Sequence, residues 1–463
     1  MELEGVPVVV VGLARSGIAA ASFLARHGAR VVATDRKPEK DCPQEVLSRL
    51  AREGVTLELG RHGIESFRAA RTVVVSPGVP ATLPELAEAR AAGAEVIGEM
   101  ELAFRHLKGR VAAITGTKGK STTTAALGAM LKETGRDVRV GGNIGDPAIG
   151  MVEGSTDDTL FVFEVSSFQL ETTDTFHPHV AVFLNLSADH LDRHASFQEY
   201  AEAKARIFRR QDADDWAIVN ADDPRVLALA SRTRARRLRF RAEGDGPADA
   251  LFTNGHAVLR REGAEEALFE RGDVRLPGAH LAIDLLAAAT AARVLGASGA
   301  EIRRAVQGYT GVEHVLEHVA DVQGVRFFND SKATNVDAAR HSLDAFQTPV
   351  LAILGGRYKG GDFADLAPAL RARGRAVLAI GEATDKVEAA LREVVPVVRC
   401  ASMAEAVAQG FARAEAGDTV LLAPACASFD MFRDYAERGR AFKAEVHALA
   451  ARVDGRSPGG ELQ

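Results

Sequence analysis

Cysteine is scarce in this chain. Cys42, Cys400 and Cys426 are the only three in 463 residues, and no two form a Cys-x-x-Cys pair. That excludes a disulfide framework and a cysteine-built zinc site. It points to a reducing compartment, so a cytoplasmic location is expected. No run of 18 apolar residues occurs, so no membrane span is expected. The apolar stretch from Val6 is broken by Arg15 and is followed by no cleavage pattern. It reads as a strand entering a turn rather than a secretion signal. Positive charge is not in excess either: the formal net charge is −6. No basic stripe dominates, which argues against nucleic acid as a partner. The basic runs 231–239 and 371–375 read as solvated surface. Internal repeats and low-complexity tracts are absent.

What is present is ordinary for a globular protein, with 46 % hydrophobic and 26 % charged residues. The length allows about three domains. In residues 1–98, the runs Val6–Gly12, Ala29–Asp35 and Thr72–Ser76 read as buried parallel strands, with a crossover helix over Ser16–His27. This alternation implies a doubly wound α/β sheet. A second block, 99–310, has strands expected at 111–115, 160–165, 180–185 and 216–220. From about 236 to 277 its pattern changes to a small antiparallel excursion, with Asn254-Gly255 as a hairpin turn. A helix is expected from Ala279 to Leu295. The third block, 311–463, has strands expected at 325–329, 349–354, 376–380 and 419–423, and a frayed tail from Asp454.

The most informative segment is Val111-Ala-Ala-Ile-Thr-Gly-Thr-Lys-Gly-Lys-Ser-Thr-Thr-Thr124. A strand breaks into a glycine turn, then Lys120 and Ser121, then helix-forming residues. Those are the parts of a phosphate cradle, in which backbone N–H groups and a helix N-terminus hold phosphate oxygens. The lysine neutralises charge and a hydroxyl reaches Mg²⁺. Here too something is missing. Ile114 stands where the common spacing has its first glycine, so the loop Gly116–Ser121 is short.

Other strand ends carry polar groups. Gly12-Leu-Ala-Arg-Ser-Gly17 resembles a dinucleotide fingerprint, but Ala14 replaces the glycine that lets backbone approach a pyrophosphate. A nucleotide-type ligand other than NAD is expected there, held also by Ser76-Pro77-Gly78. Glu164 sits in a buried strand and reads either as a salt-bridge partner or as a Mg²⁺ ligand. Asn185, Asp189 and His190 follow a strand, and His190 reads as a metal ligand or a surface histidine. Three strand ends in the third block carry Lys332, Lys359 and Ser428, which together suggest an anionic ligand.

These motifs resemble the Mur ligases. The resemblance rests on Gly116–Thr122, Gly141-Gly-Asn-Ile-Gly145, Glu164-Val-Ser-Ser-Phe-Gln-Leu-Glu171, Ala188–Arg193, Asn220–Asp223, Asn329-Asp-Ser-Lys-Ala-Thr-Asn335 and Pro424–Ser428. It implies an α/β fold of three domains: a Rossmann-like N-terminal domain (1–98), a central P-loop ATPase-like parallel-sheet domain (99–310) and a Rossmann-like C-terminal domain (311–463). The C-terminal domain would close over ATP. The Phe-Gln-Leu-Glu and Asp-Ser-Lys-Ala-Thr-Asn runs point to the branch that joins D-glutamate to UDP-N-acetylmuramoyl-L-alanine through an acyl phosphate. The implied cofactors are ATP and Mg²⁺, and a monomer is expected.

The resemblance also implies roles. Gly116, Thr117, Lys118, Gly119, Lys120, Ser121, Thr122, Thr123, Asp330 and Lys332 would bind ATP. Ser121, Glu164, His190 and a carbamylated Lys204 would hold metal, with Lys120, Glu164, His190 and Lys204 catalytic. Thr34, Asp35, Ser76, Gly78, Asn143, Thr334, Lys359, Ser428 and Tyr435 would contact the substrates. Three departures cluster on ATP. Lys118 replaces a usual Asn, Val315 replaces the Arg after His314, and Leu281 and Asp284 replace an Asn-x-x-Asn pair. Lys118 is expected to make up part of the missing arginine charge.

Overall fold

The computed structural model describes residues 3–80, 82–187, 189, 193–242, 246–261, 263–274 and 279–453. His190 and the tail 454–463 lie outside the described residues. The chain forms two compact units, one of Met1–Asp273 with Ala282–Gln307 and one of Val274–Leu281 with Gly308–Gln463.

The first unit holds two sheets. β1 (Pro7–Val11), β2 (Arg30–Asp35), β3 (Thr56–Leu59), β4 (Thr72–Val75) and β5 (Glu95–Gly98) form a parallel sheet in the order β3-β2-β1-β4-β5. Valine makes β1 and β4, since branched side chains are stiff at χ1 and pack well on a pleated surface. The order reverses between β1 and β4, and ligands of such sheets sit at the carboxyl ends beside that reversal.

The second sheet comprises β6 (Arg110–Thr115), β7 (Val138–Gly142), β8 (Leu160–Glu164), β9 (Val180–Phe183), β10 (Trp216–Asn220), β11 (Arg236–Phe240), β12 (Ala250–Thr253), β13 (His256–Arg261) and β14 (Ala264–Glu270). Its order is β14-β13-β12-β11-β10-β9-β6-β8-β7. The hairpin turns at Asn254 (φ 49°) and Gly255 (φ 79°), as expected for Asn-Gly. The antiparallel excursion begins later than the sequence suggests, because β11 still runs parallel to β10. Arg236-Arg-Leu-Arg-Phe240 alternates like a half-exposed antiparallel strand, but the helix Pro224–Ala230 carries the chain across and sets the direction.

One helix, Glu99–His106, links the two sheets. Its Glu101 is wholly buried and accepts hydrogen bonds from the N–H groups of Asp174, Thr175 and Phe176, the Thr175 hydroxyl, and Arg105. Burial opposes its charge, yet the bonds from Thr175, Asp174 and Arg105 outweigh burial and hold the carboxyl below its ordinary range. A continuous core passes beside this helix, from Val8 and Val10 through Met100 and Leu102 to Phe161 and Phe163. Each such side chain contributes about 1.5–3 kcal/mol when fully buried.

The second unit contains β15 (Glu317–Val322), β16 (Val325–Asn329), β17 (Val350–Gly355), β18 (Gly374–Ile380), β19 (Val397–Arg399) and β20 (Thr419–Leu422), ordered β15-β16-β20-β17-β18-β19. Only β15 is antiparallel to its neighbour. Phe327, Ile353, Leu378, Val420 and Phe442 lie in its core.

Glu99 offers a test of the helix junction. Its Oε1 accepts from the N–H of Ile149 at 2.7 Å, while Oε2 is buried without a partner among the described residues. Burial raises its carboxyl from 4.5 to about 7. The folded state therefore holds a proton that the unfolded chain releases above its ordinary carboxylate range, and stability falls as pH rises toward 7. Glu99→Gln is expected to stabilise the protein by up to about 3 kcal/mol at pH 8 and to be near neutral at pH 4. Urea unfolding of both proteins at the two pH values checks this, and a pH-independent difference would refute it.

Candidate active site

β6 ends at Thr115 and the chain turns through Gly116 and Gly119 into the helix Lys120–Lys132. Gly119 has φ 82°, and a Cβ there would lie 2.3 Å from Asp284 Oδ1. Conformation and space both demand glycine. Asp284, on the helix Ala279–Val294, is buried, and burial drives its carboxyl well above the usual range. It stands beside the loop at Gly119.

The Lys120 ammonium folds back over this turn and donates to the carbonyls of Gly116 (3.0 Å) and Thr117 (2.9 Å). Asn185, just past β9, scaffolds the loop from the next strand. Its Oδ1 accepts from the N–H groups of Thr117 (3.1 Å) and Lys118 (2.8 Å), and its Nδ2 donates to Lys118 O. The Thr117 hydroxyl meets the Tyr200 hydroxyl at 3.1 Å. The Lys118 side chain is exposed, Ser121 and Thr122 are half-buried, and Thr123 is fully buried in its helix.

Beside the loop, β8 delivers Glu164, which is only 2 % exposed. Ser121 Oγ donates to its Oε2 at 2.7 Å, and Asn143 Nδ2 donates to its Oε1 at 2.6 Å. The Ser121 hydroxyl and the buried Glu164 carboxylate are oxygen ligands of the kind that suits a hard divalent ion such as Mg²⁺, whereas Asn143 presents its amide nitrogen to that carboxylate. Lys204, on the helix Phe197–Ala205, is buried and donates to Gly116 O at 2.8 Å and Thr115 Oγ1 at 3.4 Å. Burial, and then the nearby charge of Lys120, lower its amine from 10.5 to about 7. An amine so placed is a nucleophile near neutral pH, and as an ammonium it ligates no cation. His194 is buried against Glu171 (Nδ1–Oε1 3.1 Å) and Ser167 (Nε2–Oγ 3.0 Å).

A cavity of about 640 Å³ opens at the carboxyl ends of β1, β2 and β4. Asp35, Ser76, Gly78 and Asn143 line it together with Ala14 and His62. Asp35 is set by backbone N–H groups: Leu13 donates to Oδ2 at 2.7 Å and Lys37 to Oδ1 at 2.9 Å. Ser76 Oγ donates to Gly12 O at 2.8 Å. Gly17 packs so closely that a Cβ would lie 1.8 Å from Gly12 O. Thr34 is buried behind the wall, and its hydroxyl holds His62 Nδ1 at 2.8 Å. The sequence carried no signal for His62, which leaves a loop after β3. Asn185 was visible only as a strand-end residue, and Tyr200 not at all.

In the second unit, the ends of β16 and β20 are tied by Arg438. Its guanidinium, 1 % exposed, donates to Ser331 Oγ (3.0 Å), Ser331 O (2.9 Å) and Cys426 O (3.1 Å). Asp330 is buried and bonded by the Ser342 hydroxyl, and burial raises its carboxyl to about 6. Lys332 and Thr334 occupy the same turn, with Thr334 N donating to Lys332 O at 2.8 Å. Ser428 is buried, Tyr435 is exposed, and the Lys359 ammonium lies 5.6 Å from the Phe429 ring centre. Arg438 is the residue here that sequence reasoning missed, because an arginine on a helix gives no sign of burial.

The glycine requirement at the loop is testable. Gly119→Ala is expected to lower stability by about 1–3 kcal/mol through backbone strain and collision with Asp284. Adding Asp284→Ala should return the collision part and leave the strain. Equal unfolding free energies for the single and double variants would show that the Asp284 carboxyl is no obstacle.

Residues 6–98 match the Mur ligase MurD-like N-terminal domain, 114–292 the Mur ligase middle domain, and 316–426 the Mur ligase glutamate ligase domain. The UDP-N-acetylmuramoylalanine–D-glutamate ligase of Acidobacterium capsulatum is 45 % identical over 97 % of this chain and 97 % of its own. That of Koribacter versatilis is 43 % identical over 97 % and 99 %. The MurF ligase of Thermotoga maritima, solved with ADP, superposes with a TM-score of 0.56 at 17 % identity over 97 % of both chains. The UDP-N-acetylmuramate-alanine ligase of the same organism gives 0.56 at 18 % over 96 % and 99 %, so the fold is shared. With family models matched over residues 6–98, 114–292 and 316–426 and relatives aligned over 97 % of its length, the chain belongs to the Mur ligases.

Proposed function

We propose that this Mur ligase joins D-glutamate to UDP-N-acetylmuramoyl-L-alanine with the hydrolysis of ATP to ADP and phosphate. The observation that carries the reading is the double position of Asn143. It lines the 640 Å³ cavity and also bonds Glu164 beside the phosphate loop. An acceptor carboxylate and a phosphoryl donor can therefore meet at one point. The names carried by the relatives at 45 % and 43 % identity support the same substrates.

In this proposal residues 1–98 bind the UDP substrate, 99–310 bind ATP, and 311–463 supply the D-glutamate groups. Asp35, Ser76 and Gly78 hold the UDP part, with Thr34 steadying His62. The loop 116–121 cradles the triphosphate, and Lys120 exchanges its carbonyl partners for phosphate oxygens. Asp330 and Lys332 complete the ATP contacts. Thr334, Lys359, Ser428 and Tyr435 receive D-glutamate. Ser121 and Glu164 would hold Mg²⁺, which supplies charge neutralisation on the phosphates when bound. His190, outside the described residues, is proposed as a further ligand. Lys204, with its amine near 7, is proposed to react as the neutral amine: its lone pair adds to CO₂ and the nitrogen loses one proton, which would leave an anionic carbamate.

The alanyl carboxylate attacks the γ-phosphorus and ADP leaves. The amine of D-glutamate then attacks the acyl carbon, phosphate departs, and the nitrogen gives up a proton. Such chemistry needs positioning and fixed positive charge more than covalent help from the protein.

Phosphate release measured with ATP, Mg²⁺, UDP-N-acetylmuramoyl-L-alanine and D-glutamate is expected only when all four are present. Release that persists without the UDP substrate would point to a simple ATPase and overturn the reading. Lys118→Asn is expected to raise the KM for ATP by about two- to fivefold, the size of one partly screened charge. An unchanged KM would remove the compensating role given to Lys118.

A further inference from the structure

A second cavity, of about 660 Å³, lies in the first unit away from the phosphate loop. Its wall contains five arginines, Arg206, Arg209, Arg210, Arg232 and Arg234, over a floor that includes the buried Phe208. Five guanidiniums face two carboxylates in the wall, Glu202 and Asp212. Behind it, a single Asp174 serves both Arg209 and Arg210 at 3.3 Å. Such an excess of positive charge stands out in a chain of net charge −6.

The arginines are also positioned. Arg206 is half-buried and anchored by its Nε to Leu170 O at 2.8 Å and by a second nitrogen to Thr173 O. Arg210 Nε donates to Asp174 O at 2.7 Å, and Arg232 is paired with Glu202 at 2.9 Å. Arg209 and Arg234 are exposed at the rim. Arg232 and Arg234 come from the basic run 231–239, which sequence reading assigned to plain surface. Others of that run are engaged elsewhere: Arg236 with Asp214 and the Trp216 ring, and Arg239 with Asp249.

From this geometry we infer that the cavity is a binding site for a small molecule bearing two or more phosphate groups, separate from the ATP loop. Planar guanidinium forks match phosphate oxygens in pairs, and five arginines lining one concavity favour a polyanion over a monoanion. The volume is that of a nucleotide-sized ligand site. Arg206 follows Lys204 by two residues, and Lys204 bonds the phosphate loop at Gly116, so the site adjoins the catalytic scaffold without sharing its residues.

The test uses pyrophosphate and the full-length chain carrying Lys120→Ala, which disables the phosphate loop. Isothermal titration calorimetry is expected to find one saturable site, weakening steeply with added salt. Adding Arg209→Ser and Arg234→Ser should weaken binding by about tenfold or more with the melting temperature unchanged. Arg209→Lys with Arg234→Lys keeps the charge and removes the fork, and should fall between the two. If the serine pair failed to fold, the lysine pair would carry the comparison. No saturable binding in the Lys120→Ala chain, or affinity unaffected by the arginine changes, would overturn the proposal.

Discussion

The Glu101 carboxylate gathers the consecutive N–H groups of Asp174, Thr175 and Phe176 while Arg105 holds it from its own helix. A buried carboxylate is tolerated only when its lone pairs are met. Here they are met by backbone of the segment just before β9. That bond fixes the first sheet against the second, and the rest of the first unit depends on it. The cavity draws Asp35 and Ser76 from one sheet and Asn143 from the other. A shift between the sheets would part the walls.

Within that frame the site is assembled from strand ends. β6 provides the loop, β8 provides Glu164, and the segment after β9 provides Asn185, which straps the loop down. Asn143 joins the two halves through Glu164. Few of these groups lie on flexible ground, since parallel strands set their spacing and side-chain hydrogen bonds set their aim. The second unit follows the same rule with a different tie, the Arg438 guanidinium between the loops after β16 and β20.

Much of this was legible before any coordinates. Strand cores such as Val8–Val11 and Phe161–Phe163 announce themselves by composition. The Gly-Lys-Ser loop announces itself by the order strand, glycine, lysine, helix. Asn254-Gly255 specifies its own turn. What stayed hidden depends on partners distant in sequence. Nothing near His62 says that Thr34 will hold it, and nothing near Asp284 says that it will lie against Gly119. The direction of β11 was obscured because its alternation is shared by both strand types, and the preceding crossover decides it. Arginine's ordinary preference for surface masked both Arg438 and the basic cavity.

The folded-back Lys120 has a thermodynamic meaning. Its ammonium is already satisfied by two carbonyl dipoles of its own loop. An arriving anion must therefore displace protein groups, and what it gains is the difference between phosphate oxygen and carbonyl oxygen as an acceptor. Charge-assisted bonds are stronger than neutral ones, so that difference grows with the charge on the anion. In the role proposed for it, the loop would thus act as a selector, since its own carbonyls compete with any weak anion for the Lys120 ammonium.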